Sequence, residues 1–434
     1  MNLKTLLLLL LWTISTGIPA LAQIPGNLEV AILSDLHILH PSLLQEGSET
    51  FEQYIQHDRK LLRQGPTLLQ TAVRQLLRQP QRPHVVLIPG DLTKDGERIS
   101  HQWVADSLLR PLREAGIQVY VVPGNHDINN PHAVCYKRDT TYRTATVTAS
   151  EFADIYQDYG YGSALARDPH SLSYVVALND TLRLLAIDAC RYAENDFERN
   201  TCVTGGRIRP ETLDFIEAQA TVARQTNCRL VAMMHHGLVR HFTWQDRILG
   251  DYLVADWKQQ AKTFGRLGIH HVFTGHFHAQ DIACYGKGKR RVFDIETGST
   301  VSYPMPVRYV RFTPGQLHIR SAFLSNDENL PHASELEAEA VRYARAGVGT
   351  LITDLLPDKV PAAIKQEVGA LVGEAYQNHL AGDETLTEDF KKRLKKGSRR
   401  LRPYSWKFAF ALKRFGHHLC TDTSPEDNQT FLPF

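Results

Sequence analysis

The chain is sparing with sulfur and indole. Its 434 residues include four Met, five Trp and six Cys. The cysteines (Cys135, Cys190, Cys202, Cys228, Cys284 and Cys420) never fall in a CxxC pair, which excludes zinc-ribbon and thioredoxin-type sites. Charge of either sign is not in excess: 49 Lys+Arg stand against 47 Asp+Glu, for a net +2. Such a balance is no general lure for nucleic acid, and no specific nucleic-acid partner is expected. Beyond the N-terminus no apolar run approaches the ~20 residues of a membrane span. Repeats of 20–50 residues are also missing, so solenoids and propellers are out. Hydrophobic residues at 43% and charged residues at 22% exclude wholesale disorder. Histidine is what the chain has in plenty. Its 20 copies are roughly double ordinary usage and direct attention to a metal site.

Residues 1–22 read as an export signal. Lys4 supplies the positive start, Leu6–Ile14 a short apolar stretch, and Ala20-Leu21-Ala22 a small-x-small cleavage site. Polar residues and Pro19 break the run, which disfavours a retained anchor. The mature chain is therefore expected in the periplasm or secreted. Six Cys suit an oxidising compartment and allow 15 pairings, with free buried thiols as the alternative.

Short β-rich runs bounded by turn residues recur through the first three quarters: 29–33, 85–88, 119–122, 173–178, 182–187, 230–234, 272–274 and 307–312. Helix-period stretches at 51–78 (broken by Gly65-Pro66), 102–115 and 210–225 lie between them. Alternating strands and helices predict an α/β domain over 23–324, and the paired runs of its second half predict hairpins and hence mixed sheets. Residues 325–434 read as a mainly helical, basic C-terminal region, with its best helices at 334–345 and 361–380. Lys391–Arg402 packs eight positive charges into twelve residues. Either it is a solvated helical face or it touches an anionic surface weakly. Tyr404, Trp406, Phe408 and Phe410 alternate behind it and are expected to seal this tail onto the main domain.

The chemistry-bearing residues follow the strands. Asp35-Leu36-His37 follows the first, Gly90-Asp91 the second, and Gly124-Asn125-His126-Asp127 the third. His235-His236 and Gly275-His276-Phe277-His278 follow two later ones. Any single cluster is weak, but five of them at the carboxyl ends of strands mark the edge where open α/β sheets build sites. Carboxylate, imidazole and amide oxygen suit Mn, Fe, Zn or Co. Seven such ligands are too many for one ion and fit two that share a carboxylate. Two metals ~3.5–4 Å apart can clamp an in-line displacement at phosphorus and acidify a bridging water into a nucleophile.

With these residues the sequence resembles the calcineurin-like metallophosphoesterases, whose pattern DxH…GD…GNH[DE]…H…GHxH it carries complete from Asp35 to His278. The resemblance implies a four-layer αββα sandwich of two mixed β-sheets, here with a small helical C-terminal extension. It further implies one metal on Asp35, His37 and His278, a second on Asn125, His235 and His276, and Asp91 bridging. Asn125 and His126 would meet the substrate's phosphoryl group, with His126 protonating the leaving oxygen and Asp127 orienting its ring. His236 would either face the substrate or merely pack.

Departures narrow the family. The tyrosine that purple acid phosphatases carry three residues after the bridging Asp is Lys94 here. Gly90-Asp91-Leu92-Thr93-Lys94-Asp95-Gly96 and Asp127 differ from the GDxVDRG and GNHE of phosphoprotein phosphatases. The pattern is nearest the cyclic-nucleotide-phosphodiesterase-like branch. The expected activity is phosphodiester hydrolysis on a small phosphate ester or a phospholipid headgroup. A phosphomonoesterase and a sphingomyelinase-like phospholipid phosphodiesterase are the alternatives, and a non-enzymatic membrane or polyanion binder the least favoured. The long gap between Asp35 and Asp91, holding His40, His57 and the 51–78 stretch, is expected to form a cap over the metals.

Overall fold

The computed structural model describes residues 27–434; the export-signal reading of 1–22 lies outside the described residues. Strands follow in the order β1 (Leu28–Ile32), β2 (Val85–Ile88), β3 (Gln118–Val121), β4 (Val134–Tyr136), β5 (Thr141–Arg143), β6 (Ala166–Arg167), β7 (Tyr174–Ala177) and β8 (Leu182–Ile187). They continue as β9 (Arg229–Met234), β10 (His271–Thr274), β11 (Asp281–Tyr285), β12 (Val292–Glu296), β13 (Pro306–Thr313), β14 (Gln316–Phe323) and β15 (Gln429–Pro433). One sheet has the order β15-β14-β13-β1-β2-β3, the other β11-β12-β10-β9-β8-β7-β6, and β4 and β5 form a separate ribbon. Both large sheets are mixed. β1, β2 and β3 run parallel, as do β8, β9, β10 and β12, while β13 and β7 pair antiparallel to their neighbours.

Side chains alternate along each strand, and this divides the core into layers. In β8 and β9, Leu184, Ala186, Val231 and Met233 face the other sheet and join Val30, Ile32, Val85 and Leu87 in one cluster. Their neighbours Leu185, Ile187, Ala232 and Met234 pack outward against Ile216 and Ala220 of the helix Pro210–Gln225 and Phe264 of the helix Trp257–Leu267. The helix Gly65–Arg78 covers the first sheet through Leu68, Leu69, Ala72 and Leu76. Burying each such side chain contributes about 1.5–3 kcal/mol. This is the four-layer mixed sandwich.

Residues 102–115 do not form one helix. Arg98–Trp103 runs into a wide turn at Val104–Leu108, and a short helix restarts at Arg110–Glu114. Pro111 has no amide to continue the ladder, which accounts for the interruption.

The C-terminal segment carries four helices, Ala333–Leu355, Ala362–Ala381, Glu388–Leu401 and Trp406–His418, around a core that includes Val368, Leu371, Val372 and Leu394. The chain then returns as β15 to edge the first sheet. The alternating aromatics seal the tail only in part: Tyr404 packs into the core of these helices and the Phe410 ring lies 6.1 Å from that of Trp244. Trp406 and Phe410 are 67% and 53% exposed. A two-residue spacing suits a strand, and on a helix it fans side chains apart. Ala409, Leu412 and Gly416 are the residues that helix buries. In the basic helix, Arg393 and Arg400 pair with Glu374 and Glu367 of the neighbouring helix, whereas Lys392, Lys395, Lys396 and Arg399 stay exposed. Among the described residues no helix is long and apolar enough to cross a membrane. All six Cys stand unpaired.

Candidate dimetal centre

The loops after β1, β2 and β3 of one sheet meet those after β9 and β10 of the other. The backbone amide of His276 donates to Asp35 Oδ2 at 3.1 Å, that of His126 to Asp91 Oδ1 at 3.0 Å, and His235 Nδ1–H to the carbonyl of Pro89 at 2.8 Å. Two glycines permit this closeness. A Cβ on Gly124 would lie 2.0 Å from Asp91 Oδ1, and one on Gly275 would lie 2.4 Å from Asp35 Oδ2. The ligand residues themselves carry strain. Asp35, His37, Asp91, His276 and His278 all adopt left-handed φ angles of 50°, 43°, 49°, 75° and 68°. Each costs on the order of 1–3 kcal/mol and persists only where the surroundings enforce it, as at functional sites.

Six of the seven predicted ligands fall into two groups, Asp35, His37 and His278 in one and Asp91, His235 and His276 in the other, and a third group of His37, Asp91 and His126 overlaps both. His278 Nε2 lies 3.3 Å from Asp35 Oδ1 and 3.3 Å from His37 Nε2. Asp91 Oδ2 lies between the groups, 3.5 Å from His37 Nε2 and 3.3 Å from His235 Nε2. Asn125 Oδ1 is 3.0 Å from His235 Nε2.

The tautomers show that these atoms suit cations. His235 gives its Nδ1–H to Pro89, so Nε2, 3.0 Å from Asn125 Oδ1, is the nitrogen left to bind an ion once its proton is displaced. His276 Nε2 sits 3.2 Å from the carbonyl of Asp251, which leaves Nδ1 as its ligating atom. Such outer partners fix metal-binding imidazoles. Without metal, Asp91 overcomes the cost of burial and lifts His235 to about 9, so a proton takes the place an ion would hold. Burial lowers His37 and His276 well below the ordinary histidine value, which favours the neutral, ligating form.

His126 stands at the wall of the same pocket, its side chain 28% exposed. Its ring partner is Asp95, at 2.8 Å from Nδ1. Asp127, read from the sequence as the group that orients this ring, instead accepts backbone amides from Gly124, Leu92 and Thr93 at 2.8, 3.1 and 3.0 Å, and so ties the loop after β2 to the loop after β3. Asp95 is ion-paired with buried Lys94, which lies 4.3 Å from the ring centre of Tyr54. Burial would lower His126, but Asp91 and Asp95 outweigh it and raise its pKa. His236 packs rather than facing substrate. It is fully buried, 4.5 Å from the His276 ring, and bonded through Nε2 to the carbonyl of Thr204 at 2.8 Å. Burial pushes it down to about 3, so it stays neutral.

The cavity over the ligands measures about 480 Å³. Of the expected cap only part lies over it. Tyr54 of the helix Glu49–His57 and the following Asp58, Arg59 and Lys60 line the cavity, together with Tyr252 and Tyr376. The later half, Gly65–Arg78, belongs to the outer helix layer, and the His40 ring packs on Trp103 at 4.9 Å. The side chain of His57 lies outside the described residues. Sequence reasoning missed Asp95, Arg59, Lys60 and Tyr376. Asp95 alone had a signal, since it lies within the same loop as Asp91.

The family model of the calcineurin-like phosphoesterases matches residues 28–280, more than half of the chain. The chain belongs to that family. Its members are metal-dependent phosphoesterases, and its pattern coincides with the two ligand groups described above. No curated protein matches. Among solved structures, a dimetal phosphatase from Danio rerio is 14% identical, with a TM-score of 0.47, over 68% of this chain and 96% of that one. A predicted phosphoesterase from Streptococcus pneumoniae TIGR4 is 10% identical (TM-score 0.26, 69% and 90% covered). Vacuolar Protein Sorting 29 from Cryptosporidium parvum is 12% identical (TM-score 0.25, 68% and 91% covered).

Proposed function

We propose that this metallophosphoesterase hydrolyses phosphodiester bonds, in a small phosphate ester or a phospholipid headgroup, after export from the cytoplasm. The observation that carries the reading is the shared cavity. His126, backed by Asp95, faces the same space as both ligand groups, and that space extends to Arg59, Lys60 and a wall of Tyr54, Tyr252 and Tyr376. A diester has two arms, and this wall gives the second one a place to lie.

Asp35, His37 and His278 would hold one divalent ion, Asn125, His235 and His276 the other, with Asp91 between. Such ions supply Lewis acidity and an acidified water. His126 holds a proton at Nε2 for the leaving ester oxygen. Asp95 keeps the Nδ1–H aimed and steadies the imidazolium until that transfer. Arg59 and Lys60 draw an anionic substrate into the mouth.

The test is a rate comparison on the chain from Gln23 onward, after chelation and readdition of Mn, Zn, Fe or Co. Bis-p-nitrophenyl phosphate should turn over faster than p-nitrophenyl phosphate. Faster turnover of the monoester would replace the reading with a phosphatase. Export predicts a mature N-terminus at Gln23 outside the cytoplasm; an intact Met1 on cytoplasmic protein would refute it.

A further inference from the structure

One helix face in the C-terminal region carries charge that nothing in the chain answers. The helix Glu388–Leu401 is buried along Phe390, Leu394, Gly397 and Leu401. On one flank Arg393 and Arg400 pair with Glu374 and Glu367 of the helix Ala362–Ala381. On the other, the Ser398 hydroxyl donates to the carbonyl of Ala409 in the helix Trp406–His418, at 2.8 Å. With side chains fanned about 100° apart along a helix, Lys392, Lys395, Lys396 and Arg399 are left on the side away from all three contacts.

These four side chains are exposed, as is Arg402 where the helix ends. Among the described residues none of the five has an ion pair. The acids at the helix start are already used, Glu388 by Lys391 and Asp389 by Arg393. Like charges three and four positions apart repel one another, and a face that only meets water usually mixes signs. A single-signed face of this kind fits an anionic partner.

The next turn adds apolar surface. Residues 402–405 lead into the helix Trp406–His418, whose first five residues leave Trp406, Phe408 and Phe410 exposed by 67%, 38% and 53%. Lys407 Nζ lies 6.0 Å from the Trp406 ring centre. Exposed apolar side chains scattered singly are ordinary, but three within five residues beside unpaired cations form a patch. Aromatic rings and Lys or Arg together are what sits at the headgroup level of a bilayer. The rings favour a bilayer over a soluble polyanion, which offers them no apolar interior.

We propose that this helical hairpin docks the protein onto anionic phospholipid bilayers. Lys392, Lys395, Lys396, Arg399 and Arg402 meet the headgroup phosphates, and Trp406 enters the interface. The helix Ala362–Ala381 holds the basic helix through Glu367 and Glu374 and also carries Tyr376 to the cavity wall, so docking and the cavity share one element.

Sedimentation of the full chain with vesicles tests this. Vesicles of phosphatidylglycerol mixed with phosphatidylcholine should retain the protein at low salt and release it as salt rises. Pure phosphatidylcholine should retain far less. Each charge near an anionic surface is worth about fivefold, so Lys395→Gln/Lys396→Gln/Arg399→Gln should weaken binding about 10²-fold. Trp406→Ala should weaken it about 10-fold. Three charges removed elsewhere, as Lys287→Gln/Lys289→Gln/Arg290→Gln in the exposed loop between β11 and β12, should change it little. All these positions are exposed, and an unchanged melting temperature checks that each variant folds. No retention on anionic vesicles, equal retention on phosphatidylcholine, or equal loss in the two triple variants would each overturn the proposal. So would binding that Trp406→Ala leaves unchanged, the mark of a soluble-polyanion site. Because the readout is binding, failure here would leave the phosphodiester reading standing.

Discussion

His126 Nδ1 stands 2.8 Å from Asp95 Oδ1, and Asp95 is in turn ion-paired with the buried amine of Lys94. A carboxylate so held cannot swing away, so the imidazole keeps one ring orientation and one tautomer. Asp95→Asn should therefore leave metal content intact and lower kcat about 10²-fold. The sign of the pH effect follows from His126, whose pKa Asp91 and Asp95 raise against burial. Removing the Asp95 charge lowers that pKa, so the protonated acid is lost at a lower pH. The alkaline limb of kcat should move toward acid. A limb that stays in place would detach Asp95 from proton transfer.

Asp91 and His126 lie within one hydrogen bond of each other but serve different ends. Asp91→Ala removes the carboxylate that lies between the two ligand groups, and nearly all activity should vanish along with bound metal from the catalytic pair. His126→Ala should keep that metal and lose about 10²–10⁴ in rate. Atomic absorption on both proteins checks this. Equal loss of metal in the two would place His126 among the ligands.

Arg59 and Lys60 bring positive charge to the cavity mouth, where Asp58 lies 3.5 Å from the Lys60 amine and offsets part of it. Neither touches the ligand groups by hydrogen bond, so their effect belongs to substrate capture. Arg59→Gln and Lys60→Gln should each raise KM about 3–10-fold at low salt, with kcat little changed. Added salt should narrow the difference only slightly, because the Lys60 side chain is 11% exposed and partly buried charges are screened less. A purely structural role would instead change kcat and melting temperature together.

The ligand set was legible because each residue sits in a local motif. A strand ends, a glycine admits a close approach, and Asp91, Asn125 or His276 follows at once. The strands themselves were legible as apolar runs, since those buried on both faces have no polar side to blur them. Asp95 was visible in the same loop, but whether it or Asp127 meets His126 depends on how Gly96 packs against the following turn. Arg59 and Tyr376 come from opposite ends of the chain and share a wall only after folding. The alternation at Tyr404–Phe410 was only partly informative, because Trp406, Phe408 and Phe410 belong to a helix that buries Ala409, Leu412 and Gly416 instead, while Tyr404 precedes it and packs on the core.

His101 links the catalytic loops to the helical layer and sets an acid limit on stability. It is fully buried, 2.8 Å from the carbonyl of Asp127 through Nε2 and 2.9 Å from the hydroxyl of Tyr156 through Nδ1. Burial pushes it down to about 4, while in the unfolded chain it titrates near ~6.5. Above that pH both states are neutral and nothing is lost. As the pH falls from about 6.5 to about 4, the unfolded chain takes a proton that the folded one refuses, and stability declines by about 1.4 kcal/mol per pH unit at most. His236, held lower still by burial, adds to the same decline. The melting temperature should drop across that window, and His101→Gln should flatten the drop while lowering the plateau above it. An acid slope unchanged in His101→Gln would move the sensor elsewhere, with His236 the next residue to test by the same substitution.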